Sequence, residues 1–162
     1  MVLPDLLAHG LEVVFCGTAV GAASARQGAY YAGPGNVFWT TLHAAGFTPV
    51  QFQPTDYKQL LELRMGLTDL VKRISGNDEV LSKGHFDCER LTASIQTFRP
   101  KIVAFTSKRA AQEFVGRYVE YGCLPETVGD TMLFVLPSPS GAGRKYWSIE
   151  PWRELSRLRS RS

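Results

Sequence analysis

One stretch near the start constrains the fold of this chain more than any other: Val13-Val14-Phe15-Cys16-Gly17-Thr18-Ala19-Val20-Gly21. A short, continuous apolar run that ends in glycine reads as a strand buried on both faces. A first strand is therefore expected over Glu12 to Cys16, followed by a turn through Gly17, Thr18, Ala19 and Val20 to Gly21. In an open α/β sheet, ligands bind in the crevice beyond the carboxyl ends of the strands. Residues 17–21 are thus expected to floor a site. The stretch Leu133-Phe134-Val135-Leu136-Pro137-Ser138-Pro139-Ser140-Gly141 has the same form, an apolar strand running into a small-residue loop. The simplest arrangement sets the two loops side by side at one edge of one sheet.

The rest of the chain fits that scheme. Asn36 suits a helix cap ahead of Phe38, Trp39, Leu42 and Ala45, with Gly46 as the stop. Thr55 suits the cap of a helix to Leu63, and Ala22 to Gly35 reads as loop. A helix is expected from Phe86 to Phe98, a buried strand over Ile102 to Phe105, and a helix from about Lys108 to Val115. Tyr118 to Thr131 reads as loop with room for a short strand. It is followed by a strand over Met132 to Leu136 and a last helix from Ile149 to Leu158. Three buried strands alternating with helices imply a mainly parallel central sheet in a three-layer α/β sandwich.

A chain of 162 residues suits one domain, expected over 1–162. Its 44% hydrophobic and 20% charged content is ordinary for a globular protein. No apolar run approaches the roughly 20 residues needed to span a bilayer, so no membrane partner is expected. Cys16, Cys88 and Cys123 form no Cys-x-x-Cys pair, which argues against a cysteine-held zinc or iron–sulfur site. No metal and no cofactor are expected, and a reduced, cytoplasmic setting fits best. The net charge of +3 is unevenly placed: residues 140–162 hold six basic and two acidic side chains. That basic end suits either a polyanion partner or a solvated, frayed tail. The Gly-x-Gly-x-x-Gly fingerprint, a Walker loop and a Gly-x-Ser-x-Gly elbow are all missing.

A set of short motifs resembles the mismatch-specific uracil/thymine-DNA glycosylases of the uracil-DNA glycosylase superfamily. These are Val13 to Gly17 with Gly21; Pro34, Asn36, Phe38 and Trp39; Gly66, Thr68, Leu70, Val71 and Arg73; Leu81-Ser82-Lys83; and Val135-Leu136-Pro137 with Pro139-Ser140-Gly141 and Arg144. In order, they cover Leu11 to Leu158. The resemblance implies a monofunctional enzyme, acting as a monomer, that flips uracil out of single- or double-stranded DNA. It would hydrolyse the N-glycosidic bond and leave an abasic site. Removal of hypoxanthine or another damaged base, and non-catalytic binding of damaged DNA, are the rival readings.

The chain departs from the family pattern at informative places. The asparagine that positions the attacking water in the first motif is replaced by Ala19, and the following proline by Val20. Ser138 opens the second motif in place of asparagine, and Ala142 stands where a bulky wedge is usual. The resemblance therefore shifts the water-positioning role to Asp69, with Asn36 as the other polar candidate. A carboxylate near the sugar can orient water and stabilise an oxocarbenium-like transition state. A turn cap is the plain alternative for Asp69. Tyr31 falls where the superfamily stacks an aromatic on the flipped base, a partner that base flipping requires. Gly17, Thr18, Ala19, Ser138, Ser140, Gly141 and Ala142 are expected to hold the nucleotide, with Arg144 and Lys145 on phosphate.

Overall fold

In the computed structural model, residues 2–73, 75–76 and 86–160 are described, apart from the side chains of residues 142–144 and 160. The expected motif Leu81-Ser82-Lys83 lies outside the described residues. The elements run β1 (Val13–Ala19), α1 (Ala22–Gln27), α2 (Phe38–Ala44), a 3-10 helix (Pro54–Leu63), β2 (Met65–Val71), α3 (Cys88–Phe98), β3 (Ile102–Phe105), α4 (Lys108–Val115), β4 (Gly122–Val128), β5 (Thr131–Val135), a second 3-10 segment (Gly141–Tyr146) and α5 (Glu150–Ser160). The strands form one sheet in the order β2-β1-β3-β5-β4, parallel except for β4.

The three-layer α/β arrangement follows from the period-2 alternation of strand side chains. Val13, Phe15, Met65, Leu67, Ile102, Ala104 and Phe134 meet Phe38, Trp39, Leu42, Trp152 and Leu155 on one face. Val14, Cys16, Leu70, Val103, Phe105, Leu133 and Val135 meet Leu91, Ile95, Ala110 and Ala111 on the other. Trp152 is fully buried, stacks on Phe15 at 5.9 Å and donates from Nε1 to Pro137 O.

One strand was not legible as such, and another was expected only as a short strand within a loop. β2 is buried along its whole length although Gly66, Thr68 and Asp69 interrupt its apolar pattern. The N-terminal segment covers its outer edge, where Leu6 bridges Leu67 with both backbone bonds at 2.9 Å. That approach needs glycine at position 66, since a Cβ there would collide with Leu6 O. The stretch Tyr118 to Thr131, expected as loop with room for a short strand, holds strand β4, an antiparallel edge whose alternation is partial because only one face is covered.

Three further expectations are corrected. Residues 22–27 form α1 within the expected loop, closed by Gly28 in the left-handed region. The Thr55 helix is a 3-10 helix started by Gln53, whose backbone N–H donates to Asp56 Oδ2 at 2.9 Å. The basic C-terminal segment is not a frayed tail as far as it is described. It forms α5, and Arg159 donates to Glu12 Oε1 at 2.9 Å, Leu63 O at 2.7 Å and Phe47 O at 3.3 Å. These partners put Arg159 by the start of β1, at the opposite end of the sheet from the expected site. Among the described residues no helix is long and apolar enough to cross a membrane.

Candidate active site

β1 leads to β2 on one side, and β3 returns on the other, so the strand order reverses between β1 and β3. A crevice at such a switch point is where open α/β sheets bind ligands. The register places Gly17 of β1 beside Asp69 of β2, and Thr106 N donates to Cys16 O just beyond β3. By alternation from Phe15, Leu67 and Ala104, the three residues Asp69, Gly17 and Thr106 lie in one row on one face. Gly17, having no Cβ, lets that row close up over its backbone. An ideal Cβ there would lie 2.9 Å from Asp69 Oδ1, 3.4 Å from Tyr31 Oη and 3.6 Å from Thr106 Oγ1. Three oxygens thus surround one point above a residue that has no side chain.

Gly17, Thr18 and Ala19 therefore belong to β1 and not to a loop, which is a correction to the expected turn. Ala19 pairs with Val71, and the methyl group offers no polar contact. The two expected loops are not direct neighbours either, because β3 lies between β1 and β5. The later part of the first connection reaches the second loop instead: Val37 N donates to Pro139 O at 2.9 Å, and a Cβ on Gly35 would meet Gly141 Cα at 3.8 Å.

Tyr31 is held at φ 54°, an uncommon conformation for a bulky residue and one associated with functional sites. One ring face stacks on Phe38 at 3.9 Å and 14°, so only the other can receive a base. Its hydroxyl lies 3.2 Å from Thr106 Oγ1. Either hydroxyl can be the donor of that bond, and Thr106 Oγ1 also lies 3.4 Å from Cys16 O. Tyr30, its neighbour, is 2% exposed and donates to Pro4 O, so it belongs to the core. Burial pushes both phenols well above the usual tyrosine range, and both stay neutral.

Asp69 is 3% exposed and sits within a strand, so the turn-cap alternative is gone. Its Oδ2 takes a hydrogen bond from Lys72 Nζ at 3.0 Å. Among the described residues no donor reaches Oδ1, the oxygen over Gly17. Burial raises its pKa above the ordinary carboxylate value, and the Lys72 charge partly offsets that rise. Lys72 is 6% exposed and also contacts Asp5 Oδ1 at 3.0 Å and Tyr30 Oη at 2.9 Å. Arg90 of α3 reaches Asp5 Oδ2 at 2.9 Å and donates to Asp69 O. Asp5 also accepts from Thr68 Oγ1 at 2.8 Å. Two acids and two bases thus balance in one cluster at the β2 edge.

Asn36 is not part of this group. Its Oδ1 accepts from Phe38 N at 2.9 Å, which is the helix-start role expected from the sequence, although Val37 occupies the cap position. Ser138 Oγ lies 3.0 Å from Ser140 Oγ and accepts from Ser140 N at 3.3 Å, so each hydroxyl steadies the second loop. The side chains of Ala142 and Arg144 lie outside the described residues. Lys145 is exposed, with Nζ 5.6 Å from the ring centre of Tyr146, itself 67% exposed. Lys108 is engaged locally by Tyr118 and Glu120, and Arg109 by Glu113.

Sequence reasoning missed Thr106, Lys72, Asp5 and Arg90. Thr106 carried one usable signal, a hydroxyl directly after a buried strand. Lys72 carried another, a cation at the end of a segment that proves to be buried. Asp5 and Arg90 carried none.

The chain matches the family model described as the uracil DNA glycosylase superfamily over residues 4–157. It is also similar in structure to a protein from Methanosarcina acetivorans whose solution NMR structure is titled "putative Uracil DNA glycosylase". That match has a TM-score of 0.70 at 23% identity and covers 98% of this chain and 96% of the other. At that identity the likeness is one of fold.

Proposed function

Since this chain belongs to the uracil DNA glycosylase superfamily, we propose that it is a DNA glycosylase that hydrolyses the bond between uracil and deoxyribose. The observation that carries this reading is the convergence of Asp69 Oδ1, Tyr31 Oη and Thr106 Oγ1 over Gly17 at the switch point. In this mechanism the flipped nucleotide enters the crevice, and its base lies on the free face of Tyr31. The C1′–N1 bond breaks and its electron pair leaves with the base. Water held by Asp69 forms the new bond to C1′, and its proton passes to the carboxylate. The negative charge of Asp69 stabilises the cationic sugar as it develops.

The reaction stops at an abasic site. Lys72 is the amine next to Asp69, and its three partners equal its three N–H donors in number. An ammonium held in this way is no nucleophile for C1′. Incubation with uracil-containing oligonucleotides, single-stranded and duplex, should release free uracil and leave alkali-labile sites. Intact glycosidic bonds in both substrates, with folded protein, would reduce the protein to a DNA-binding role.

Tyr31→Ala should weaken substrate interaction by about 1–3 kcal/mol, the usual worth of a base–aromatic stack. Tyr31→Phe retains the ring and should keep that binding, losing only the hydroxyl interaction with Thr106. Titration with a non-hydrolysable uracil analogue in DNA separates the two, and equal effects would replace stacking with a hydroxyl role. Neutralising Arg144 and Lys145 together should reduce the slope of log affinity against log salt by about one for each phosphate that these side chains bind. An unchanged slope would remove both from the DNA interface.

A further inference from the structure

We propose that Lys72 is a positioning residue for the proposed reaction, and that Asp5 and Arg90 complete a buried ionic cradle which fixes Asp69 with Oδ1 over Gly17. This rests on the glycosylase reading only for the reaction itself; the cradle is a matter of geometry.

A carboxylate at the end of a strand can rotate about its side-chain bonds, and a buried one without partners takes up a proton. Asp69 has partners that oppose both outcomes. Lys72 Nζ grips Oδ2 at 3.0 Å, which leaves Oδ1 as the oxygen over Gly17. Lys72 is itself pinned at 3.0 Å by Asp5 and at 2.9 Å by Tyr30. Arg90 closes the ring by joining Asp5 of the N-terminal segment to the backbone carbonyl of Asp69. The cluster joins four parts of the chain, and its two carboxylates share one ammonium. That sharing makes a testable sign. Asp5 draws part of the Lys72 charge away and also repels the Asp69 charge directly. The other groups around Asp69 are the phenols Tyr30 and Tyr31, the thiol of Cys16 and the hydroxyl of Thr106, all neutral at working pH.

Two variants should therefore shift the acid limb of the pH–rate profile in opposite directions. Asp5→Asn removes the competing carboxylate and should move the limb to lower pH by about half a pH unit or more. Lys72→Met removes the cation and should move it higher, while Lys72→Arg, which keeps the charge, should bring it back toward wild type. If Lys72→Met fails to fold, Asp5→Asn and Tyr30→Phe carry the test. Tyr30→Phe removes one hold on Lys72 and should lower the rate several-fold with the substrate KM little changed. Carbon-13 NMR titration of the Asp69 carboxyl reports the same displacements without substrate. Displacements by NMR with no uracil release from any variant would keep the cradle and discard the glycosylase reading. Uracil release with an acid limb that stays in place in Asp5→Asn, Lys72→Arg and Tyr30→Phe, and no change by NMR, would overturn the cradle.

Discussion

Replacing Asp69 with alanine is expected to slow single-turnover uracil release by about 10²–10⁴-fold, the range of one positioned acid or base, roughly 3–5 kcal/mol of barrier. The Ala19 side chain brings no polar group to the site, and Asp69 is the carboxylate whose oxygen lies over Gly17. Asp69→Asn keeps one oxygen to accept from Lys72 and turns its amide NH2 toward Gly17, where it can still hydrogen-bond water, so it should keep part of the activity if charge is secondary. The pH profile adds an independent check. Burial holds the Asp69 pKa above the ordinary carboxylate range, and in the proposed mechanism the ionised form is the active one. Activity should therefore fall as pH drops through that raised value, and the limb should vanish in Asp69→Asn. Stability has the opposite sign. A raised folded-state pKa favours the folded protein below the ordinary value, and that gain disappears as pH rises through the raised one. A wild-type rate in Asp69→Ala would return Asp69 to a structural role and make Asn36→Ala the next variant to assay.

Lys72→Met should cost about 3–5 kcal/mol of folding free energy, because removing one partner of a buried ion pair leaves uncompensated charge. Here the charge left behind is double: among the described residues Asp5 and Asp69 would keep Arg90 as the remaining cation of the cluster. Urea denaturation at neutral pH measures the loss. The deficit should shrink toward acid, where the raised pKa of Asp69 lets its carboxylate take up a proton. A variant that differs from wild type by less than about 1 kcal/mol at neutral pH would mean that the cluster is not ionised.

The legible parts of this fold were those whose pattern is local. Ile102 to Phe105 followed by Ser107 gives a strand and a capped helix, and α4 begins where expected, with Ser107 Oγ accepting from Ala110 N. β2 was hidden because its burial comes from outside the strand: the N-terminal segment shields its edge, and ionic partners neutralise its polar residues. The length of β1 was hidden for a related reason. Gly17 signals a turn in isolation, but in the sheet it makes room beside Asp69. The site itself divides the same way. Tyr31 and Asp69 were reached through a family resemblance, not through chemistry visible in the chain. Thr106 enters through the register of three strands, and Asp5 through a hydrogen bond from Thr68, 63 residues away in sequence.

The placement of α5 bears on the order in which the protein can be made. Phe15 of the first strand lies under Trp152, and Glu12 is held by Arg159, a bond spanning 147 residues. Synthesis proceeds from the N-terminus at about 5–20 residues per second. The first strand therefore leaves the ribosome several seconds before the helix that covers it exists. Throughout that interval an apolar face stays open to water and to neighbouring chains. Truncation before Trp152 would make the interval permanent, and such a fragment should be recovered bound to chaperones or in inclusion bodies, not as folded monomer.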